Sequence, residues 1–110
     1  MNPKRLTTQQ VAEGWATGRV NMVGGNLSVD GEGSLWSYGL EIGRRQGQKL
    51  IVYDYRAPMT VSHTTTCHVG LAVTAAVLAH EAHGISYAVE HPSFDEVALA
   101  KMYFVGGGRG

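Results

Sequence analysis

The most regular alternation of apolar and polar positions lies in the second quarter of the chain. Trp36, Tyr38, Leu40 and Ile42 are separated by Ser37, Gly39, Glu41 and Gly43. A period of two over this stretch predicts one strand with a buried face and a face of small or polar groups. Upstream, Leu27 and Val29 alternate with Asn26, Ser28 and Asp30, and Asp30-Gly31-Glu32-Gly33 reads as a turn. Downstream, Gln46-Gly47 suits a tight hairpin, and residues 49–55 supply the returning strand. There Leu50, Val52 and Asp54 point one way and Ile51, Tyr53 and Tyr55 the other. After Pro58, the residues Met59, Val61 and His63 predict a last short strand. The middle of the chain therefore reads as an antiparallel meander of three or four strands.

Helical spacing frames the meander. Thr8 is the expected N-cap of a short helix in which Val11 and Trp15, four apart, share a face. Gly14 and Gly18 weaken that helix and place its end near Ala16 or Thr17. From Thr64–Thr66 a longer helix runs to about Ala82, with Gly84 placed to stop it. Cys67, Leu71, Ala75, Leu78 and Ala82 fall on one side of it, and Val69, Val73 and Val77 nearly opposite. A helix apolar almost all round is buried or shared with a partner, so it is expected across the sheet. Residues 85–89 read as a short strand or loop. Ser93 and Glu96 form a capping-box pattern before Val97, Leu99, Ala100 and Tyr103, which predicts a C-terminal helix. The expected fold is α+β: a meander packed on one long apolar helix, flanked by short N- and C-terminal helices.

The 110 residues suit one domain, with an ordered core over residues 5–104 and a flexible glycine-rich tail over 105–110. Nine Lys and Arg balance nine Asp and Glu. Such a neutral chain is a poor candidate for nonspecific DNA binding, or for an acidic mimic of DNA. One cysteine, Cys67, excludes an internal disulfide. The first twenty residues lack the apolar run of a signal peptide, and no stretch approaches the ~18 apolar residues of a membrane span. A cytoplasmic location without membrane attachment is the resulting expectation. The apolar helix carries more surface than a small sheet can cover, so a homodimer is expected.

Candidate chemistry is sparse. His80-Glu81-Ala82-His83 spaces its imidazoles three apart, not the four of the zinc-protease helix. At about 1.5 Å rise per residue, His68 and His83 lie roughly 22 Å apart on one helix. His80 and His83 fit the last helical turn, where a cation meets the helix dipole. Cys67 on the Leu71 face reads as a small buried hydrophobe. No metal, cofactor or catalytic set is therefore expected. A metal-dependent enzyme built on His63, His80 and His83 remains an alternative. A basic and aromatic edge stands out more. Arg44, Arg45 and Lys49 flank the hairpin, and Arg56, Tyr53 and Tyr55 follow on the next strand. Those residues suit single-stranded nucleic acid, a nucleotide, or a protein partner.

Residues 35–45 (LWSYGLEIGRR) and 59–68 (MTVSHTTTCH) resemble a pattern in small accessory proteins of bacteriophages and plasmids. There a Ser-Tyr-x-x-x-Ile strand precedes a Thr-Thr-x-x-His helix start, matched here by Ser37, Tyr38, Ile42, Thr64, Thr65 and His68. The similarity spans about residues 27–75 and departs from the pattern at Gly43 and around Pro58. It implies a mobile-element protein, a class that includes inhibitors of bacterial defence complexes such as anti-CRISPR proteins. The function expected is a noncatalytic protein-binding module acting on a host protein or nucleoprotein complex. Its expected contact residues are Trp36, Tyr38, Arg44, Arg45, Lys49, Tyr53, Tyr55 and Arg56. A small nucleic-acid or nucleotide binder is the other alternative.

Overall fold

The computed structural model describes residues 6–56, 63–93 and 95–96. The elements in chain order are α1 (Thr8–Ala16), β1 (Met22–Gly24), β2 (Leu27–Val29), β3 (Ser34–Ser37), β4 (Leu40–Gln46), β5 (Lys49–Tyr53), α2 (His63–His83) and β6 (Ser86–Glu90). The fold is α+β, with a six-stranded mixed sheet in the order β1-β2-β3-β4-β5-β6. The meander is longer than expected, five antiparallel strands. The sixth, β6, is parallel to β5, with Lys49 beside Ser86 and Tyr53 beside Glu90. A parallel neighbour needs a crossover that returns the chain to the starting end of the sheet. The 21 residues of α2 make that return, a length of about 30 Å.

The alternation through Trp36, Tyr38, Leu40 and Ile42 is not one strand. The chain reverses at Tyr38-Gly39, where Ser37 pairs with Leu40. Tyr38 takes a positive φ of 56° there, and its N–H donates to the Asn26 carbonyl. A two-residue turn switches the inward set from odd to even positions. A bulge between Leu35 and Trp36 then shifts the register again, so that Ile42 and Gly43 are both buried. The second hairpin turns one residue later than expected, on Gly47-Gln48, with Gln46 opposite Lys49 and Gly47 at φ 60°.

Both helices pack on one face of the sheet and against each other. Leu27, Val29, Leu35, Leu50 and Val52 point into this core, as do Val11 and Trp15 from α1. The Trp15 indole lies on Gly43, where a Cβ would stand 2.8 Å from its ring, and its Nε1 donates to the Gly33 carbonyl at 3.0 Å. The cap of α1 is Thr7 rather than Thr8, in a reciprocal box with Gln10. Ser93 and Glu96 form the capping box expected of them, at 2.8 and 3.1 Å. The body of the expected C-terminal helix and the tail lie outside the described residues, as do Met59 and Val61. His63, expected in a strand, opens α2.

The face that α2 buries also differs from expectation. It is Thr65, His68, Val69, Ala72, Ala75, Ala76 and Ala79. Alanines on this face let α1 approach closely. Cys67 is therefore exposed instead of buried, and Leu78 is 52% exposed. Gly84 at φ 69° ends the helix, donating its N–H to the His80 carbonyl.

Candidate functional site

The registers place Ser28, Trp36, Glu41, Arg44, Ile51, Tyr53 and Glu90 on the face of the sheet away from α1 and α2. Several are fixed before any partner arrives. The Asp30 carboxylate, set at the turn by the N–H groups of Glu32 and Ser34, accepts from Trp36 Nε1 at 3.0 Å. Those bonds, the Ser34 N–H first, hold the Asp30 carboxyl below its ordinary pKa. Arg44 grips Glu41 with two bonds of 3.1 and 3.0 Å. Both bonds stabilise one rotamer of Arg44.

A cleft of about 360 Å³ opens at one end of this face. Tyr53 and Tyr55 line it with Leu40 and Pro92, and Glu41, Glu90, His91 and Glu96 bring its charge. Burial raises the pKa of both phenols; at Tyr53 the nearby Arg44 charge opposes this and Glu41 and Glu90 add to it, and at Tyr55 Glu96 and Glu41 add to it. The two hydroxyls are therefore neutral and able to donate. Asp54 lies between the two tyrosines in sequence but points into the protein and is buried. Arg56 binds its carboxylate through Nε at 2.8 Å and Nη2 at 2.9 Å, and His91 Nδ1 stands 3.9 Å away. The Arg56 hydrogen bond is the main reason the Asp54 carboxyl is held below its usual range.

The expected contact residues do not form one basic patch. Trp36, Arg44 and Tyr53 share the far face, and Lys49 is exposed at the hairpin. Tyr55 reaches the cleft, and Arg56 is committed to Asp54. Arg45 turns to the helix side, where its Nη1 donates to the carbonyls of Ala16 at 3.0 Å and Trp15 at 3.5 Å. No basic residue of α1 itself occupies its last turn, so Arg45 supplies the cation that the dipole favours there. Glu41, Glu90, His91 and Glu96 escape sequence reasoning because nothing in their spacing announces that they converge.

Tyr38 belongs to a second cluster at the start of α2. Ser37 Oγ lies 2.8 Å from His68 Nδ1 and 3.1 Å from Thr65 Oγ1, and the Tyr38 ring is tilted against the imidazole at 6.4 Å. Residues some thirty positions apart thus meet in space. Ser37 is completely buried, so its hydroxyl bolts β3 to α2 and is out of reach of a substrate. Burial lowers the His68 pKa and keeps the ring neutral at pH 7. His80 is held by the Ile85 carbonyl at 2.9 Å, and His83 is exposed. Among the described residues no three His, Cys, Asp or Glu side chains gather as a metal site, and none of the described helices is long and apolar enough to cross a membrane.

The chain matches no known family. No curated protein and no solved structure is significantly similar to it either.

Proposed function

We propose that this chain is a noncatalytic protein-binding module that engages its partner through the far face of the sheet. The observation that carries this reading is that Trp36, Arg44 and Tyr53 lie together on the face that α1 and α2 leave free. Tryptophan, tyrosine and arginine dominate interface energetics, and side chains already held in place lose less entropy on binding. Asp30 and Glu41 provide that restraint. In the setting suggested by the phage and plasmid resemblance, the partner is a host defence complex in the bacterial cytoplasm, and the module inhibits it as anti-CRISPR proteins do. Affinity capture with tagged protein from a bacterial lysate tests this. Trp36→Ala and Arg44→Glu are each expected to remove the captured complex. A complex retained equally by both variants overturns the reading.

The nucleic-acid alternative has less support. Arg44, Arg45 and Arg56 all have internal acceptors, so phosphates would compete with Glu41, the α1 carbonyls and Asp54 for them. No shift of a single-stranded oligonucleotide is expected even at low salt, where phosphate contacts are strongest.

A second copy of the chain is the further partner we propose. Leu78 stands as a ridge between two shallow grooves of α1 and α2, one reaching Leu71 and Thr74, the other Ala82 and His83. A ridge beside a groove on one patch suits an isologous dimer, in which each copy gives and receives the same contact.

A further inference from the structure

We infer that the cleft beside Tyr53 and Tyr55 receives an arginine side chain from a basic segment of the partner polypeptide. This rests on the protein-binding reading above and names the chemistry that its acidic end recognises. The walls and the charge lead to the same ligand. Two tyrosines line it, and a guanidinium can stack on aromatic rings as well as form hydrogen bonds in its plane. Three glutamates line the cleft, Glu41, Glu90 and Glu96, with His91 beside them. Arg44 balances only one of them, Glu41. One Glu96 oxygen accepts from the Ser93 N–H. The Glu90 carbonyl accepts from the Asp54 N–H, but its carboxylate has no hydrogen bond among the described residues, and its strand register puts it directly beside Tyr53. A cation entering the cleft therefore meets the uncompensated charge of Glu90 and Glu96, whereas a phosphate or carboxylate is repelled. The volume is within the range of sites that enclose a small ligand. An arginine is preferred over lysine because its flat group can lie on a phenol while its edge addresses Glu90.

The test is an NMR titration of the full chain with acetyl-Gly-Arg-Gly-amide, using the citrulline peptide as an uncharged control of similar shape. The arginine peptide is expected to shift the Tyr53 and Tyr55 ring signals saturably, with a Kd on the order of millimolar for one side chain. The citrulline peptide is expected to leave them in place. Glu90→Gln, a conservative change at an exposed strand position, is expected to weaken the arginine peptide about fivefold. Equal shifts with both peptides, no saturable shift, or unchanged affinity in Glu90→Gln would each overturn the inference. If Trp36→Ala still abolishes partner capture while the peptide fails to bind, the cleft inference falls and the protein-binding reading stands. If the peptide binds while Trp36→Ala captures normally, the far-face docking reading falls instead.

Discussion

At the scale of single residues, the Ser37, Thr65 and His68 cluster is where stability depends most directly on polar chemistry. Ser37→Ala leaves the His68 ring nitrogen and the Thr65 hydroxyl without the bond that Ser37 provides. A loss of about 1–3 kcal/mol is expected in urea unfolding. His68 also sets a pH dependence. Its folded pKa lies below the ordinary 6.5, so the unfolded chain binds more protons in between. This contribution is complete above the unfolded value and is lost as pH falls through the folded one. Urea midpoints measured from pH 8 to pH 5 are expected to fall in the wild type and to fall less in His68→Phe. Asp30 and Asp54 have the same sign further down: both carboxyls are depressed below 3.8, so their contribution is lost only as pH drops through those lower values. Sequence pattern brought Ser37, Tyr38, Thr65 and His68 to notice together, but the bond between them depends on a β3–α2 contact that no local spacing encodes.

At the scale of elements, alternation and helical period identify pieces more reliably than the faces they bury. Val11 and Trp15 were assignable to one side of α1 because its other side is polar. The α2 sequence is apolar on nearly every side, so the face it buries is decided by where α1 and the sheet stand. That is why Cys67 and Leu78 are exposed while Ala72 and Ala76 are sealed. The strand around Tyr38 fails for a different reason, because a two-residue turn and a bulge both preserve apolar spacing while changing its meaning. Close approach is the most testable feature at this scale. Gly43→Ala pushes a methyl into the Trp15 ring and is expected to cost about 1–3 kcal/mol of unfolding free energy. Thr7→Ala removes one half of the α1 capping box and is expected to cost about 1 kcal/mol, whereas Thr8→Ala, one residue past the cap, costs little.

At the scale of the whole molecule, the arrangement divides two surfaces. Helices α1 and α2 shield one face of the sheet and leave a Leu78 ridge outward, while the other face carries Trp36, Arg44, Tyr53 and the acidic cleft. These surfaces lie on opposite sides, so self-association and partner capture are expected to be separable. Leu78→Glu is expected to turn a dimer into a monomer in sedimentation equilibrium and to leave unfolding free energy of the monomer within about 0.5 kcal/mol. It is also expected to leave partner capture intact. Sedimentation of the wild type as a strict monomer would remove the dimer from the proposal.

Local order alone determined the α+β class, the Asp30–Gly33 turn and the hairpin near Gly47, the α1 helix, the stop at Gly84 and the Ser93 capping box. Each depends on residues within a few positions of one another, and short-range sterics and hydrogen bonding act over that reach. Tertiary structure decided the parallel β6, the buried side of α2, the turning inward of Arg45 and the gathering of Glu41, Glu90 and Glu96 around two tyrosines. Those outcomes depend on which distant surfaces meet, because burial and electrostatic fields act through space and are indifferent to separation along the chain.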